Sequence, residues 1–180
     1  IESREAAVEG GRNTCIVIAG DGSGRIDERI RPPEDPASLS PDQLIQCLRD
    51  AGIAGLGGAG FPTATKLASG RTRGVQTLVL NGAECEPWIC CDDALMRAAA
   101  DDVVVGALLL RRAAGARRCI IAIEDDKPEA IAAVTGAIER QRDAAHRDEG
   151  VTLAVVPAVY PQGAERQLMT AVAGVEVPAG

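Results

Sequence analysis

Short apolar runs alternate with longer stretches of helical periodicity along most of this chain. Runs rich in Val, Ile and Leu at 77–80, 119–123 and 151–156 are typical of strands buried inside a sheet. Helical spacing of apolar residues fills 93–114 and 128–146 between them. Strands that alternate with helices predict an α/β fold, in which helices flank a parallel sheet.

The N-terminal part of the chain has a different pattern. A β-branched run at 14–19 lies between glycine-rich turns and indicates the end of a small β-rich, barrel-sandwich-like domain. Four prolines between residues 30 and 41 predict a linker. We therefore expect one domain to end within 1–38 and an α/β domain to occupy 39–180. Because the chain begins with Ile1 and ends without a charged or helical tail, we expect an internal piece whose second domain is truncated at its C-terminus.

A glycine-rich segment at 55–63 stands between two further predicted helices. The first opens at Ser40 and Pro41 and ends at Gly52, and the second covers 62–68. The glycines satisfy G-x-G-x-x-G, but the dinucleotide fingerprint requires a preceding strand, and a helix precedes this loop. Gly55, Gly57 and Gly60 are the three motif glycines, Gly58 lies between them, and Phe61 follows.

Two interpretations of this loop stay open. Consecutive glycines expose backbone N–H groups, and the helix that starts at Pro62 directs its positive end toward an anion, to which Lys66 would add a charge. The loop would then hold a phosphate of a nucleotide-type cofactor. The same glycines also suit a tight turn packed between two helices.

Two polar turns follow strands of the predicted sheet. Asn81, Glu84 and Glu86 come directly after the strand at 77–80, where ligands of open α/β sheets bind. Their side chains suit hydroxyl groups and a carboxamide. The structural alternative is that Glu86, with Asp92 and Asp93, solvates the loop and favours the next helix start.

The second polar turn lies between the strand at 151–156 and a last predicted helix at 162–173. It would reach the same edge of the sheet as the first turn. Taken alone, its tyrosine is more typical of loop packing than of a ligand contact. The residues singled out are Tyr160, Gly163, Ala164 and Glu165.

Composition excludes several classes of function. The net charge is -7 with scattered Lys and Arg, so no basic surface for nucleic acid is expected. No apolar window reaches the length of a membrane span, and no signal peptide opens the chain, which favours a soluble cytosolic segment. The six cysteines lack C-x-x-C spacing and the sole histidine, His146, lies apart from them, so we expect reduced thiols and no metal site. Hydrolase, ATPase and metalloprotease motifs are absent.

The three motifs together resemble the RnfC family, the C subunits of Rnf-type ion-translocating electron transport complexes, and more distantly the NADH-binding flavoprotein subunit of respiratory complex I. The likeness extends from about Cys15 to the end and includes the segment 123–130. It implies the complex I flavoprotein fold and a protein that takes a hydride from NADH onto FMN. The electrons would then pass singly to iron-sulfur clusters, driving sodium or proton translocation between NADH and ferredoxin.

The resemblance also implies roles for individual residues. Gly57, Gly58 and Gly60 with Lys66 match the FMN phosphate loop of that family, and Phe61 its aromatic beside the nicotinamide or adenine. Asn81, Glu84 and Glu86 match the isoalloxazine and ribityl contacts. Tyr160, Gly163, Ala164 and Glu165 match the wall nearest the flavin. No protein acid or base is required, because the cofactor carries the chemistry.

The implied partners are NADH, the other subunits of the membrane complex, and ferredoxin or flavodoxin at the level of that complex. The implied location is peripheral, on the cytoplasmic face of the bacterial inner membrane. The cluster-binding segment C-x-x-C-x-x-C-x-x-x-C-P and the asparagine-containing loop of the family are absent here. Iron-sulfur clusters are therefore expected in the full-length protein and not in this segment.

Two alternatives share these motifs. A cobalamin-reductase-type flavoprotein of bacterial microcompartments would differ in its acceptor and partners. A docking module with a vestigial nucleotide fold would have lost its ligand, although the intact glycines, Lys66 and Glu84 argue against that interpretation.

Overall fold

The computed structural model describes residues 2–8, 11–27, 32–56, 60–145 and 150–176. The chain divides into two compact units, Ile1–Pro32 and Pro33–Gly180. In the first unit, β1 (Glu2–Val8) pairs antiparallel with β2 (Gly11–Val17). The strand predicted at 14–19 is present, but it begins earlier and ends at Val17.

The second unit contains three strands and six α-helices among its described residues. The strands lie in the order β3-β4-β5 and both pairs are parallel, which confirms the predicted α/β fold with a parallel sheet. The elements are α1 (Pro41–Asp50), α2 (Thr63–Thr72), β3 (Thr77–Gly82), α3 (Cys91–Ala98), α4 (Ala100–Ala114), β4 (Arg118–Glu124), α5 (Pro128–Ala145), β5 (Val151–Val156) and α6 (Glu165–Ala173), with a short 3-10 turn at Pro36–Ser38.

Successive side chains of β4 point to opposite faces of the sheet, and all of them from Cys119 to Glu124 are buried. The central strand is therefore buried on both faces. Cys119, Ile121 and Ile123 pack in one cluster with residues of α3, α4 and α5. Ala122 faces the other side, where it packs with Leu168 of α6. The sheet is therefore covered by helices on both faces, as its continuous apolar runs predicted.

One predicted helix is wrong, because the stretch 93–114 is two helices. The chain leaves helical geometry at Ala99 (φ -138°, ψ 42°), so that α3 ends and α4 begins there. Each part buries a separate residue, Met96 from α3 and Val104 from α4, in the core they share with α5. The break lets both helices pack on α5, and no glycine or proline marks it in the sequence.

Two helix starts also differ from the prediction. α2 begins at Thr63 with Pro62 as its N-cap and runs to Thr72, beyond the predicted end at residue 68. α6 begins at Glu165 and not at Gln162, because 159–164 form turns in which Gln162 N–H donates to the Val159 carbonyl (2.7 Å). His146, where the sequence placed the end of α5, lies outside the described residues.

Candidate functional site

The glycine loop is closed at its base by backbone hydrogen bonds. Gly55 N–H donates to the Phe61 carbonyl (2.9 Å), and Thr63 N–H donates to the Ile53 carbonyl (3.1 Å). Gly60 has φ +59°, a left-handed conformation that favours glycine. Gly57 and Gly58 lie outside the described residues. The described part is a loop with pinned ends that leads from α1 into α2.

Lys66 lies in the first turn of α2, immediately beyond this loop. Its side chain is exposed, and it forms none of the ion pairs found among the described residues. Phe61, at the base of the loop, is 54% exposed. A cation and an aromatic ring therefore stand available to a ligand beside the glycine loop.

The two polar turns are brought into direct contact. Asn81 Nδ2 donates to the Gly163 carbonyl (2.8 Å), and Ala83 N–H donates to Asn81 Oδ1 (3.1 Å). A Cβ at position 163 would lie only 2.9 Å from the Ala83 carbonyl oxygen, so this approach requires glycine. Asn81 lies within β3, which runs two residues beyond its predicted end, and from there it reaches across the end of β4 to the turn that follows β5.

Glu84 is buried, and its carboxylate caps α3. Its two oxygens accept hydrogen bonds from Asp92 N–H (2.7 Å) and Asp93 N–H (3.1 Å) at the start of that helix. Those amides are among the N–H groups that a helix leaves unpaired at its N-terminus. The carboxylate of Glu84 thus fixes the turn to α3, while Glu86 and Glu165 are exposed.

Acidic groups concentrate beside this cap. Desolvation, reinforced by the charges of Glu84 and Glu86, raises the pKa of Asp92 above its ordinary value. Desolvation and a hydrogen bond to Glu84 likewise raise the pKa of the Cys91 thiol. Ligand atoms of Glu84, Cys91 and Asp92 lie within 4.8 Å of one another, but both Glu84 oxygens already accept backbone N–H groups. We therefore assign no metal to this cluster.

The turn after β5 contributes an exposed aromatic ring and a side-chain N–H donor without a partner among the described residues. Tyr160 is 79% exposed, whereas the side-chain nitrogen Nε2 of Gln162 is buried without a hydrogen-bond partner in the described part of the chain. Ala164 is the N-cap residue of α6, directly before Glu165. A buried orphan donor is unfavourable unless a ligand or water accepts from it.

Sequence reasoning left Gln162 and Glu124 out of the candidate site, whereas it counted Trp88 among the candidate aromatic residues. Trp88 is 99% exposed and has φ +71°, a conformation that no pattern in the sequence indicates. Glu124 is 2% exposed and accepts a hydrogen bond from Glu84 N–H (3.1 Å). The available signal for Glu124 was its position, since an acid at the carboxyl end of the central strand lies where α/β sheets bind ligands.

The parallel sheet with helices on both faces places the chain in the α/β class, whose open sheets bind ligands outside the carboxyl ends of their strands. Within that class, the chain belongs to the Nuo51 FMN-binding domain family, whose model matches residues 48–180.

Curated relatives share one name, that of the C subunit of the ion-translocating oxidoreductase complex. The protein from Haemophilus influenzae strain PittEE is 46% identical over 92% of this chain, and the match covers 24% of that relative. The protein from Serratia proteamaculans is 48% identical over 92% of this chain and 22% of the relative. These relatives confirm the resemblance found in the motifs. The chain spans less than a quarter of their length.

Solved structures agree with this assignment. The crystal structure of an NAD+-reducing NiFe hydrogenase in its H2-reduced state is similar with a TM-score of 0.68 and 30% identity, over 73% of this chain and 24% of that chain. Its air-oxidized state gives a TM-score of 0.63 and 33% identity, over 72% and 23%. None of the helices in the described ranges combines the length and apolarity that a membrane span needs.

The described residues offer the kinds of group that FMN needs. A phosphate needs N–H donors and a cation, which the end of the glycine loop and Lys66 offer. A ring system needs a few fixed polar groups around it, and the hydrogen bond between the apposed turns fixes their backbones. The side chains of Asn81 and Glu84 also make hydrogen bonds that hold those turns.

Proposed function

We propose that this chain is the FMN- and NADH-binding part of an RnfC-type protein of an ion-translocating oxidoreductase complex. The observation that carries the proposal is the contact between the 81–87 and 160–165 turns at the carboxyl edge of the sheet, in a member of an FMN-binding family. When bound there, FMN would supply the redox chemistry, taking two electrons as a hydride from NADH and releasing them singly.

The residues of the chain would bind and orient the cofactor. Lys66 and the backbone of Gly57, Gly58 and Gly60 would hold the phosphate, while Gly55, whose N–H donates to the Phe61 carbonyl, would close the base of that loop. The turn with Asn81, Glu84 and Glu86 and the turn with Tyr160, Gly163, Ala164 and Glu165 would form the walls around the ring. Phe61, half-exposed beside the loop, would stack on NADH.

The proposed setting is peripheral, on the cytoplasmic face of the bacterial inner membrane, with the other subunits of the complex as partners. Ferredoxin or flavodoxin would be the redox partner of the whole complex. Iron-sulfur clusters would belong to parts of the full-length protein beyond these residues, since the cysteines here lack cluster spacing.

FMN titration tests this proposal and the role of Lys66. We expect the chain to quench flavin fluorescence saturably, and NADH added anaerobically to bleach the flavin absorbance. Lys66→Ala should weaken FMN binding by about tenfold, because it removes one charge-assisted contact to phosphate. Arg73→Ala is the matched control, since Arg73 is an exposed cation at the opposite end of α2, and it should leave the affinity unchanged.

The same FMN titration on a chimera shows whether an absence of binding contradicts the proposal. In the chimera this chain replaces its counterpart in the Haemophilus influenzae relative, so that any neighbouring segment the pocket needs is present. Absence of FMN binding by both the chain and the chimera would contradict the proposal. Equal binding by the parent and Lys66→Ala would remove Lys66 from the phosphate site.

A further inference from the structure

The segment 124–127, which we call the acidic segment, follows the central strand and lies between the two polar turns. Strand order places β4 between β3 and β5, so that the residue after β4 has one turn on each side. The β3-β4 ladder ends at the pair Gly82 and Ile123, and the β4-β5 ladder ends at Glu124 and Val156. Beyond these pairs no backbone hydrogen bonds of the sheet hold the two turns, so hydrogen bonds from side chains must hold them.

On one side, Glu124 holds the turn that follows β3. Its Oε2 accepts the Glu84 N–H at 3.1 Å, and its side chain is almost completely buried. Burying a carboxylate is costly unless hydrogen bonds or a cation compensate it. Lys127 supplies the cation, with Nζ 3.8 Å from Glu124 Oε2 and 2.7 Å from Asp126 Oδ1.

On the other side, Asp125 holds the turn that follows β5. Its N–H donates to the Val156 carbonyl (2.9 Å), and its Oδ1 accepts the Ala158 N–H (3.0 Å). Adjacent residues of one segment therefore fasten the backbones of both turns, each through a side-chain carboxylate.

We propose that Glu124 and Asp125 are positioning residues of the cofactor site, which together set the distance between the two turns that form its walls. This inference rests on the proposed function, because the distance between the two turns affects activity only if a cofactor binds between them. Neither residue was among those that the motifs assigned to cofactor contact. A displaced wall costs binding even where every contacting residue is intact, because contact geometry decides affinity.

Paired substitutions separate position from charge at Glu124. Glu124→Gln removes the charge but keeps an oxygen that accepts the Glu84 N–H, so FMN affinity should stay within about threefold of the parent. Glu124→Asp keeps the charge but withdraws the carboxylate by one methylene, and we expect about tenfold weaker binding because the Glu84 N–H loses its acceptor. Glu129→Ala, an exposed acid on α5 that pairs only with Arg97 among described residues, is the control with parental affinity.

Amide hydrogen exchange measures the local stability of both turns in the same variants without any ligand. In Glu124→Asp, amides in 83–92 should exchange faster than in the parent, while those in 157–164 should not. Asp125→Ala should give the reverse pattern, and Asp125→Asn, which keeps the acceptor oxygen, should restore parental exchange. This measurement requires only folded protein, which the cooperative thermal transition of each variant establishes.

The outcomes are distinct. Loss of FMN binding in Glu124→Gln with parental binding in Glu124→Asp would overturn the inference, since the charge and not the position would then matter. Parental exchange in both turns of Glu124→Asp and Asp125→Ala would overturn it as well. If the parent itself binds no FMN, the proposed function fails, and local exchange still decides whether these residues position the turns.

Discussion

At the scale of single residues, Glu84 links the candidate site to a helix. Its carboxylate accepts two N–H groups of α3, and its own N–H donates to Glu124. The resemblance implied a contact between this residue and the flavin. The geometry adds a structural role, because the same carboxylate anchors the turn after β3 to the start of α3.

Neutralising Asp92 and neutralising Asp93 should change the free energy of unfolding in opposite directions. The pKa of Asp92 is raised from 3.8, so the folded chain holds this proton more tightly than the unfolded chain, and stability is lost as pH rises through the raised pKa. Asp92→Asn should raise the free energy of unfolding at pH 7 by less than about 1 kcal/mol, because the group is largely exposed.

The control is Asp93→Asn, one residue further along α3. Asp93 Oδ2 lies 3.1 Å from Arg97 Nε, so its neutralisation should lower the free energy of unfolding by about 0.5 kcal/mol. Urea denaturation at pH 7 and again near pH 3 measures both effects. Stabilisation by Asp92→Asn that persists unchanged at the lower pH would contradict the assigned cause.

At the scale of elements, the sequence predicted β2 to β5 and most helices because their signals are local, but it did not predict β1. Ser40 caps α1 through Gln43 N–H, as the Ser-Pro start indicated, and the apolar runs of β4 and β5 coincide with strands of the sheet. The break at Ala99 was missed because it occurs within three alanines and is set by packing on α5. Tertiary contacts of this kind override local propensity.

Two glycines of α4 provide a matched test of its boundaries. Gly106 is within the helix, where an added Cβ would meet nothing within 4 Å, so Gly106→Ala should stabilise the chain by about 0.5–1 kcal/mol. Gly115 is the C-cap with φ +68°, and Gly115→Ala should destabilise it by about 1 kcal/mol. Thermal denaturation checks both, and stabilisation by Gly115→Ala would contradict the helix end described here.

The candidate site was predictable only in part. Strand ends placed Asn81 and Gly163 at the same edge of the sheet, and the structure joins them although 82 residues separate them. The bond from Glu84 to Glu124 spans 40 residues and depends on strand order, which no local motif encodes. The roles of Gly57 and Gly58 stay predictions, because these glycines lie outside the described residues.

At the scale of the whole molecule, charge is distributed unevenly along the site. Glu84, Glu86 and Asp92 cluster at the turn after β3, whereas Lys66 follows the glycine loop. An anionic phosphate is therefore expected at the loop, and an uncharged part of a ligand at the acidic turn.

A cofactor site at the carboxyl ends of the strands is best tested by an NMR titration of the isotopically labelled chain with FMN, following every backbone amide. We expect the largest shifts at 60–66, 81–87 and 160–165, with little change at Gln76 and Gly150, at the opposite edge of the sheet. Shifts concentrated at that opposite edge would contradict the placement of the site.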